Sequence, residues 1–160
     1  MGLKLVRVDD RLIHGQVVAV WLRAVGAHRI VIIDDKTAQD EFLRDLVVLA
    51  APQGVQVEVH GVADGTERAR ELAGTSEDVF ILLKSPVIAL QLRRAGVPFD
   101  VLNVGGMGSG PGRRTLYKNI SANDEEMAAM RELEKIGTRV ELRIVADDRP
   151  TQFSSIDKGT

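Results

Sequence analysis

Apolar positions along this chain fall into short β-branched runs that alternate with stretches of helical period. The runs are LKLVRV (3–8), RIVIID (29–34), VQVEVH (55–60), DVFILL (78–83), FDVLNV (99–104) and TRVELRIV (138–145), each rich in Val and Ile, which is strand chemistry. Between them the spacing predicts helices over about 15–25, 37–50, 64–73, 86–95 and 123–136. The punctuation agrees. Ser85 precedes a proline at the first helical position, Pro86, and Gly96 closes that helix. Asn123, with Glu126 three residues on, reads as a capping box ahead of Met127 and Met130, and Gly74 and Gly137 mark two further helix ends.

Alternation of this kind defines an α/β fold: an open, mainly parallel β-sheet with helices on both faces. Right-handed crossovers bring the carboxyl ends of the strands to one edge. RIVIID and DVFILL are nearly unbroken apolar runs and are expected to be the most buried strands. With no internal repeat and no shift in composition, residues 1–150 read as a single domain, and 151–160 as a loose C-terminal tail.

Composition narrows the function by exclusion. Apolar residues make up 44% and charged residues 28% of 160, so a substantial core is expected rather than disorder. The net charge of −2 and a single Trp and Tyr give no basic surface or stacking platform, so no nucleic acid is expected as a partner. Without Cys there is no disulfide scaffold, thiolate nucleophile or cysteine zinc site, which fits a reducing cytoplasm. The opening MGLKLVRVDDR lacks the apolar stretch of a signal peptide, and no run has the length of a membrane span.

Ligands of open α/β sheets bind outside the carboxyl ends of the strands, so the residues at that edge are the candidates. The first strand delivers Asp9, Asp10, Arg11 and His14, the second Asp34 and Asp35, and the third His60. The fourth delivers Lys84 and Ser85, and the fifth Asn103 followed by GGMGSGPGRR, which opens on Gly105 and Gly106. The densest cluster lies in RVDDRLIHGQVV (7–18). There His14 stands before Gly15 and Gln16 at the mouth of a helix. A helix N-terminus offers unpaired N–H groups and the positive end of its dipole, which suits an anion. Arg11 adds a planar fork of donors. This arrangement predicts His14 as a nucleophile toward phosphorus: the neutral imidazole attacks, and the phosphoryl group it gains meets donors already in place. Asp9 or Asp10 holds the other ring nitrogen or orients Arg11, and the sequence leaves that choice open.

Plainer readings stand beside these. Asp34 and Asp35 also suit the end of a strand and the cap of a helix near Thr37, and Lys84 a solvated surface. His28 and His60 read as structural. The glycine-rich loop, with Arg113, Arg114 and Lys118 behind it, reads equally as a phosphate contact or a flexible surface loop. Its glycines match neither a dinucleotide fingerprint nor a P-loop, Ser109 is in no nucleophile elbow, and the three His are too dispersed for a helical zinc pair, so no metal is expected.

VDDRLIHGQV (8–17) resembles the active-site signature of the IIB components of mannose/fructose/sorbose-type bacterial phosphotransferase systems. NVGGM (103–107), the Gly-Arg at 112–113, KNISANDEEMAAMRELEKIG (118–137) and the closing strand follow the same family in order and spacing, over roughly residues 3 to 150. One departure is GSGPG after NVGGM, where the family pattern carries a bulky, often aromatic residue. The resemblance implies that His14 takes a phosphoryl group, through Nδ1, from a phosphohistidine on a IIA partner and passes it to a sugar held by the membrane components IIC and IID. It thereby implies a protein-Npi-phosphohistidine–sugar phosphotransferase, cytoplasmic and peripheral to the inner membrane, that uses no cofactor. Arg11 and the following amides would hold the phosphate while the aspartates orient. Homo-oligomer formation stays open. So do two other functions: a regulatory protein that uses phosphorylation of the same His14 without delivering phosphate to sugar, and a small α/β enzyme acting on a phosphorylated metabolite.

Overall fold

Residues 2–157 are described by a computed structural model, the side chains of Gln16 and Val17 excepted. The elements run β1 (Leu3–Asp9), α1 (Gly15–Val25), β2 (Arg29–Ile33), α2 (Asp35–Gln39), α3 (Glu41–Leu49), β3 (Gln56–His60), α4 (Val62–Ala73) and β4 (Val79–Leu83). They continue with α5 (Pro86–Arg94), β5 (Val101–Gly106), β6 (Arg114–Tyr117), β7 (Ile120–Ala122), α6 (Asp124–Lys135), β8 (Arg139–Leu142), β9 (Thr151–Gln152) and α7 (Phe153–Ile156). A seven-stranded sheet of order β3-β2-β4-β1-β5-β8-β9 carries the fold, parallel throughout except for β9, with β6 and β7 forming a separate hairpin.

The two-residue period of each strand divides the core between the two faces. On one face Ile30, Ile32, Phe80 and Leu82 pack with Val18, Trp21 and Leu22 of α1. On the other, Val31, Ile33, Ile81 and Leu83 pack with Leu72 of α4, Leu92 of α5 and Met130 and Leu133 of α6. All five residues of β4 are inaccessible to solvent, as the unbroken apolar run predicts. Each such side chain contributes roughly 1.5–3 kcal/mol of burial.

The helix signals hold at most ends. Ser85 caps α5 through Val87 N–H, and Asn123 and Glu126 close the expected capping box on α6. The helix expected over 37–50 is two helices instead, because the Asp40 carboxylate takes the amides of Phe42 and Leu43 and so starts α3 afresh. Hairpin β6–β7 was hidden by the glycine-rich loop before it. The tail expected from 151 needs correction up to Asp157: Thr151 and Gln152 pair antiparallel with Leu142 and Glu141, and Phe153 of α7 is 1% exposed in the core. Residues 158–160 lie outside the described residues.

The strand order also locates the crevice. The connection after β1 leads to β2 on one side, and the connection after β5 leads to β8 on the other, although β1 and β5 are neighbours. Their carboxyl ends therefore form the topological switch point, where open sheets of this kind bind ligands.

Candidate active site

Asp9 ends β1 with a carboxylate that is 1% exposed and surrounded by donors. Its Oδ2 lies 3.0 Å from His14 Nε2 and accepts from Arg7 Nη2 at 3.3 Å. Its Oδ1 accepts from the backbone N–H of Arg11 at 3.2 Å and from Arg11 Nε at 3.1 Å. Burial alone would raise the Asp9 pKa. The hydrogen bonds from Arg11 and His14, with the charge of Arg7, outweigh it and hold the carboxyl below its usual range. An ionised carboxylate only accepts, so in the neutral imidazole this contact favours the tautomer with the proton on Nε2 and the lone pair on Nδ1.

A tight turn makes this convergence possible. Leu12 donates its N–H to Asp9 O at 2.9 Å and adopts a left-handed φ of +57°, unusual for a side chain of this size. Its side chain is 3% exposed, so core burial opposes the conformational cost, and the turn folds Arg11 back over Asp9. Two residues on, His14 is the N-cap of α1 in extended conformation and makes no side-chain cap. The first turn of α1 carries no acidic side chain either, so its N-terminal amides are not drawn to a local carboxylate.

The two aspartates divide the work that the sequence left open. Asp9 binds both the imidazole and Arg11. Asp10 turns the other way, and its Oδ2 accepts from Gly108 N–H at 2.9 Å and Arg113 Nη1 at 3.3 Å. Arg113 in turn makes a two-pronged pair with Glu126, at 3.1 and 2.7 Å, and donates to Gly108 O at 2.8 Å. The glycine-rich loop is thus tethered to the His14 loop at one point and to α6 at another.

Gly105 and Gly106 are buried, and the reason is close approach. A Cβ on Gly105 would stand 2.0 Å from Arg7 Nη1, and one on Gly106 would stand 2.4 Å from Asp9 Oδ1. Their backbone forms one wall of a cleft of about 120 Å3, lined also by Asp10, Arg11, Met107, Gly108 and Asn119. A larger cavity of about 370 Å3, lined by Arg114, Met127, Arg131 and Asp157 among others, involves none of these groups.

Other expected site residues take different places. Asn103 is 2% exposed and its Oδ1 accepts from Arg7 Nη1, so it faces a buried guanidinium rather than a ligand. The Asp34 carboxylate accepts from Thr37 N–H and Oγ1 at 3.0 and 2.7 Å as the cap of α2, two strands away from β1. Ser85 Oγ caps α5 and His60 Nε2 meets Glu58. Lys84 follows Leu83, the partner of Val8, which sets it beside Asp9 at the sheet edge, and it has no hydrogen bond or ion pair among the described residues. Gly15, with φ +50°, begins α1 and Gln16 lies in its first turn, the Gln16 side chain being outside the described residues. No group of His, Asp and Glu arranged for a metal ion occurs among the described residues.

Arg7 escaped sequence reasoning altogether. It is 1% exposed on the central strand, donates to Asn103, Asp9 and the carbonyls of Arg143 (2.9 Å) and Ile144 (2.8 Å), and lies 4.8 Å over the Trp21 ring. Burial lowers its pKa to about 10 against the pull of Asp9, so it stays charged at neutral pH. The available signal was a cation in the interior of a two-faced central strand.

A buried carboxylate here holds an imidazole beside an arginine at the switch point of a parallel sheet. The family model for the PTS system sorbose subfamily IIB component matches residues 3–158, and this chain belongs to that family. It is 40% identical over 148 residues to the sorbose-specific EIIB component of Klebsiella pneumoniae, covering 92% of this chain and 90% of that one. It is 32% identical over 162 residues to the mannose-specific EIIAB component of Escherichia coli K12, covering 99% of this chain and 50% of that longer one. The crystal structure of the IIBSor domain of the Klebsiella pneumoniae sorbose permease superposes with a TM-score of 0.93 at 37% identity, covering 100% and 99% of the two chains.

Proposed function

We propose that this chain is the phosphocarrier of a sugar phosphotransferase system: His14 accepts a phosphoryl group from a phospho-IIA partner and passes it to a sugar bound by IIC and IID membrane components. The observation that carries this is the Asp9–His14 hydrogen bond, which engages Nε2 and leaves Nδ1 as the nucleophile. The Nδ1 lone pair forms the new N–P bond as the donor's P–N bond breaks, and that electron pair returns to the donor imidazole. The Nε2 proton stays in place, and Asp9 stabilises the imidazolium character the ring acquires. Arg11, whose side chain is 53% exposed, keeps Nη1 uncommitted, and with the α1 amides from Gly15 and Gln16 it supplies donors for the phosphoryl oxygens. Lys84 adds a positive charge at the same edge. Transfer to sugar reverses the roles: a sugar hydroxyl oxygen bonds to phosphorus as the Nδ1–P bond breaks, that electron pair returns to His14 Nδ1, and the hydroxyl proton is released to solvent.

The EIIAB designation of the mannose-specific relative supports a IIA protein as the donor. No described helix is long and apolar enough to cross a membrane. In this reading the sugar is reached by docking on IIC and IID from the cytoplasmic side. The test is intact mass after incubation with phosphoenolpyruvate, the general phosphotransferase proteins and a mannose-type IIA. The wild type is expected to gain one acid-labile phosphoryl group and His14→Ala none. No gain with two different active IIA donors would overturn the assignment.

A further inference from the structure

We infer that Arg7 is a positioning residue for phosphoryl transfer, acting from beneath the site through Asp9 on the tautomer and aim of His14. The inference rests on His14 being the phosphoryl acceptor.

Arg7 occupies a place where strand alternation calls for an apolar side chain. Val6 and Val8 enter the core on one face, while Leu5 and Arg7 project with Trp21 on the other. A buried cation there is costly unless its donors are satisfied. Here the fork is anchored from three directions. Nη1 reaches Asn103 on β5 and the Arg143 carbonyl just past β8, and Nη2 reaches the Ile144 carbonyl and Asp9 Oδ2. Trp21 of α1 supplies a stacking face. A guanidinium tied to β5, the end of β8 and α1 cannot swing, so it fixes Asp9 Oδ2, the same oxygen that receives His14 Nε2–H.

Gly105 belongs to the same device, because its missing side chain makes the space the guanidinium fills. Arg7 is too deep to touch a donor protein or a phosphoryl group, whereas Arg11 at the surface is free to do both. The two arginines on Asp9 therefore differ in kind. One holds the carboxylate; the other bridges it to the ligand.

The experiment compares wild type, Arg7→Met, Asn103→Ala and His14→Ala in single-turnover phosphorylation by a phospho-IIA over a concentration series. Ring-nitrogen NMR of His14 is recorded alongside, and circular dichroism and melting confirm folding. For Arg7→Met the maximal rate is expected to fall roughly 10- to 100-fold. The half-saturating donor concentration should stay unchanged, and the Nε2–H tautomer should no longer dominate. Asn103→Ala, which loosens the fork while keeping its charge, should change rate and tautomer in the same direction by less. It decides the matter if Arg7→Met does not fold. Folded variants with wild-type maximal rate and tautomer, or a loss confined to donor affinity, would overturn the inference. Failure of the wild type itself to take up phosphate, or uptake by His14→Ala, would instead overturn the underlying assignment of His14.

Discussion

Asp9 Oδ2 and His14 Nε2 stand 3.0 Å apart, and the same carboxylate is bonded to arginines in front and behind. A charged acceptor held on both sides favours one tautomer of the neutral imidazole, with the proton on Nε2 and Nδ1 unprotonated. Exchanging the acceptor for an amide removes that bias, because the NH2 of Asn presents a donor to Nε2 and favours Nδ1–H. Asp9→Asn is therefore expected to slow phosphorylation of His14 by about 100-fold or more. In the wild type, phosphorus–proton correlation NMR is expected to place the phosphoryl group on Nδ1. Attachment at Nε2 would contradict this geometry.

The glycine pair of β5 gives a second prediction. Gly105→Ala puts a methyl 2.0 Å from Arg7 Nη1 and Gly106→Ala puts one 2.4 Å from Asp9 Oδ1. Neither neighbour can retreat easily, since the guanidinium is anchored at four acceptors and the Asp9 carboxylate is held by Arg7, Arg11 and His14. Each substitution is expected to cost about 3 kcal/mol in urea unfolding. Transfer should be slowed even where the variant remains folded. Gly108→Ala serves as the contrast, because its Cβ meets nothing nearer than Asp10 Oδ2 at 3.9 Å.

What the sequence reveals and what it conceals follow from the range of the interactions. Strand runs, Pro86, the Asn123–Glu126 box and the placement of Asp9 to His14 at the carboxyl end of the first strand are local signals, and all are legible. The break at Asp40 is also local, but an unbroken apolar period over 37–50 masks it. The partition between Asp9 and Asp10 is decided by Gly108 and Arg113, about a hundred residues away in the chain, so no spacing rule reaches it. Arg7 is harder still. Its partners lie on β5, on α1 and past β8, and nothing within LKLVRV tells a buried, paired arginine from an exposed one.

The two arms of the site are separable by mutation. Asp10→Ala frees Gly108 N–H and one contact of Arg113, while leaving Asp9, Arg11 and His14 in place. Hydrogen exchange at Gly108 is expected to rise several-fold, in line with loss of one bond worth about 1 kcal/mol. Arg11→Ala should leave that exchange and the fold intact and slow transfer by more than Asp10→Ala does, because Arg11 has a free nitrogen for phosphate. Equal losses of transfer in the two variants would mean that the loop tether contributes as much as the arginine.

Away from the site, Glu58 on the edge strand β3 sets an acid limit on stability. Arg68 binds its two oxygens at 2.8 and 2.9 Å, Arg29 adds a contact at 2.6 Å, and His60 meets Oε1 at 2.8 Å. The hydrogen bonds from Arg68 lead, burial opposes, and His60 with the charges of Arg68 and Arg29 adds to the pull, bringing the Glu58 pKa from 4.5 to about 2. A carboxyl whose pKa is lower in the folded state stabilises fully above its unfolded value and loses that contribution as pH falls through the folded one. For Glu58 the window runs from about pH 5 down to about pH 2. With its side chain 19% exposed, solvent screening trims the contribution to about 2 kcal/mol. Glu58→Gln should lower stability at pH 7 by about that amount and flatten the acid slope of the urea midpoint. A wild-type slope in the variant would mean that other carboxylates carry the acid limb.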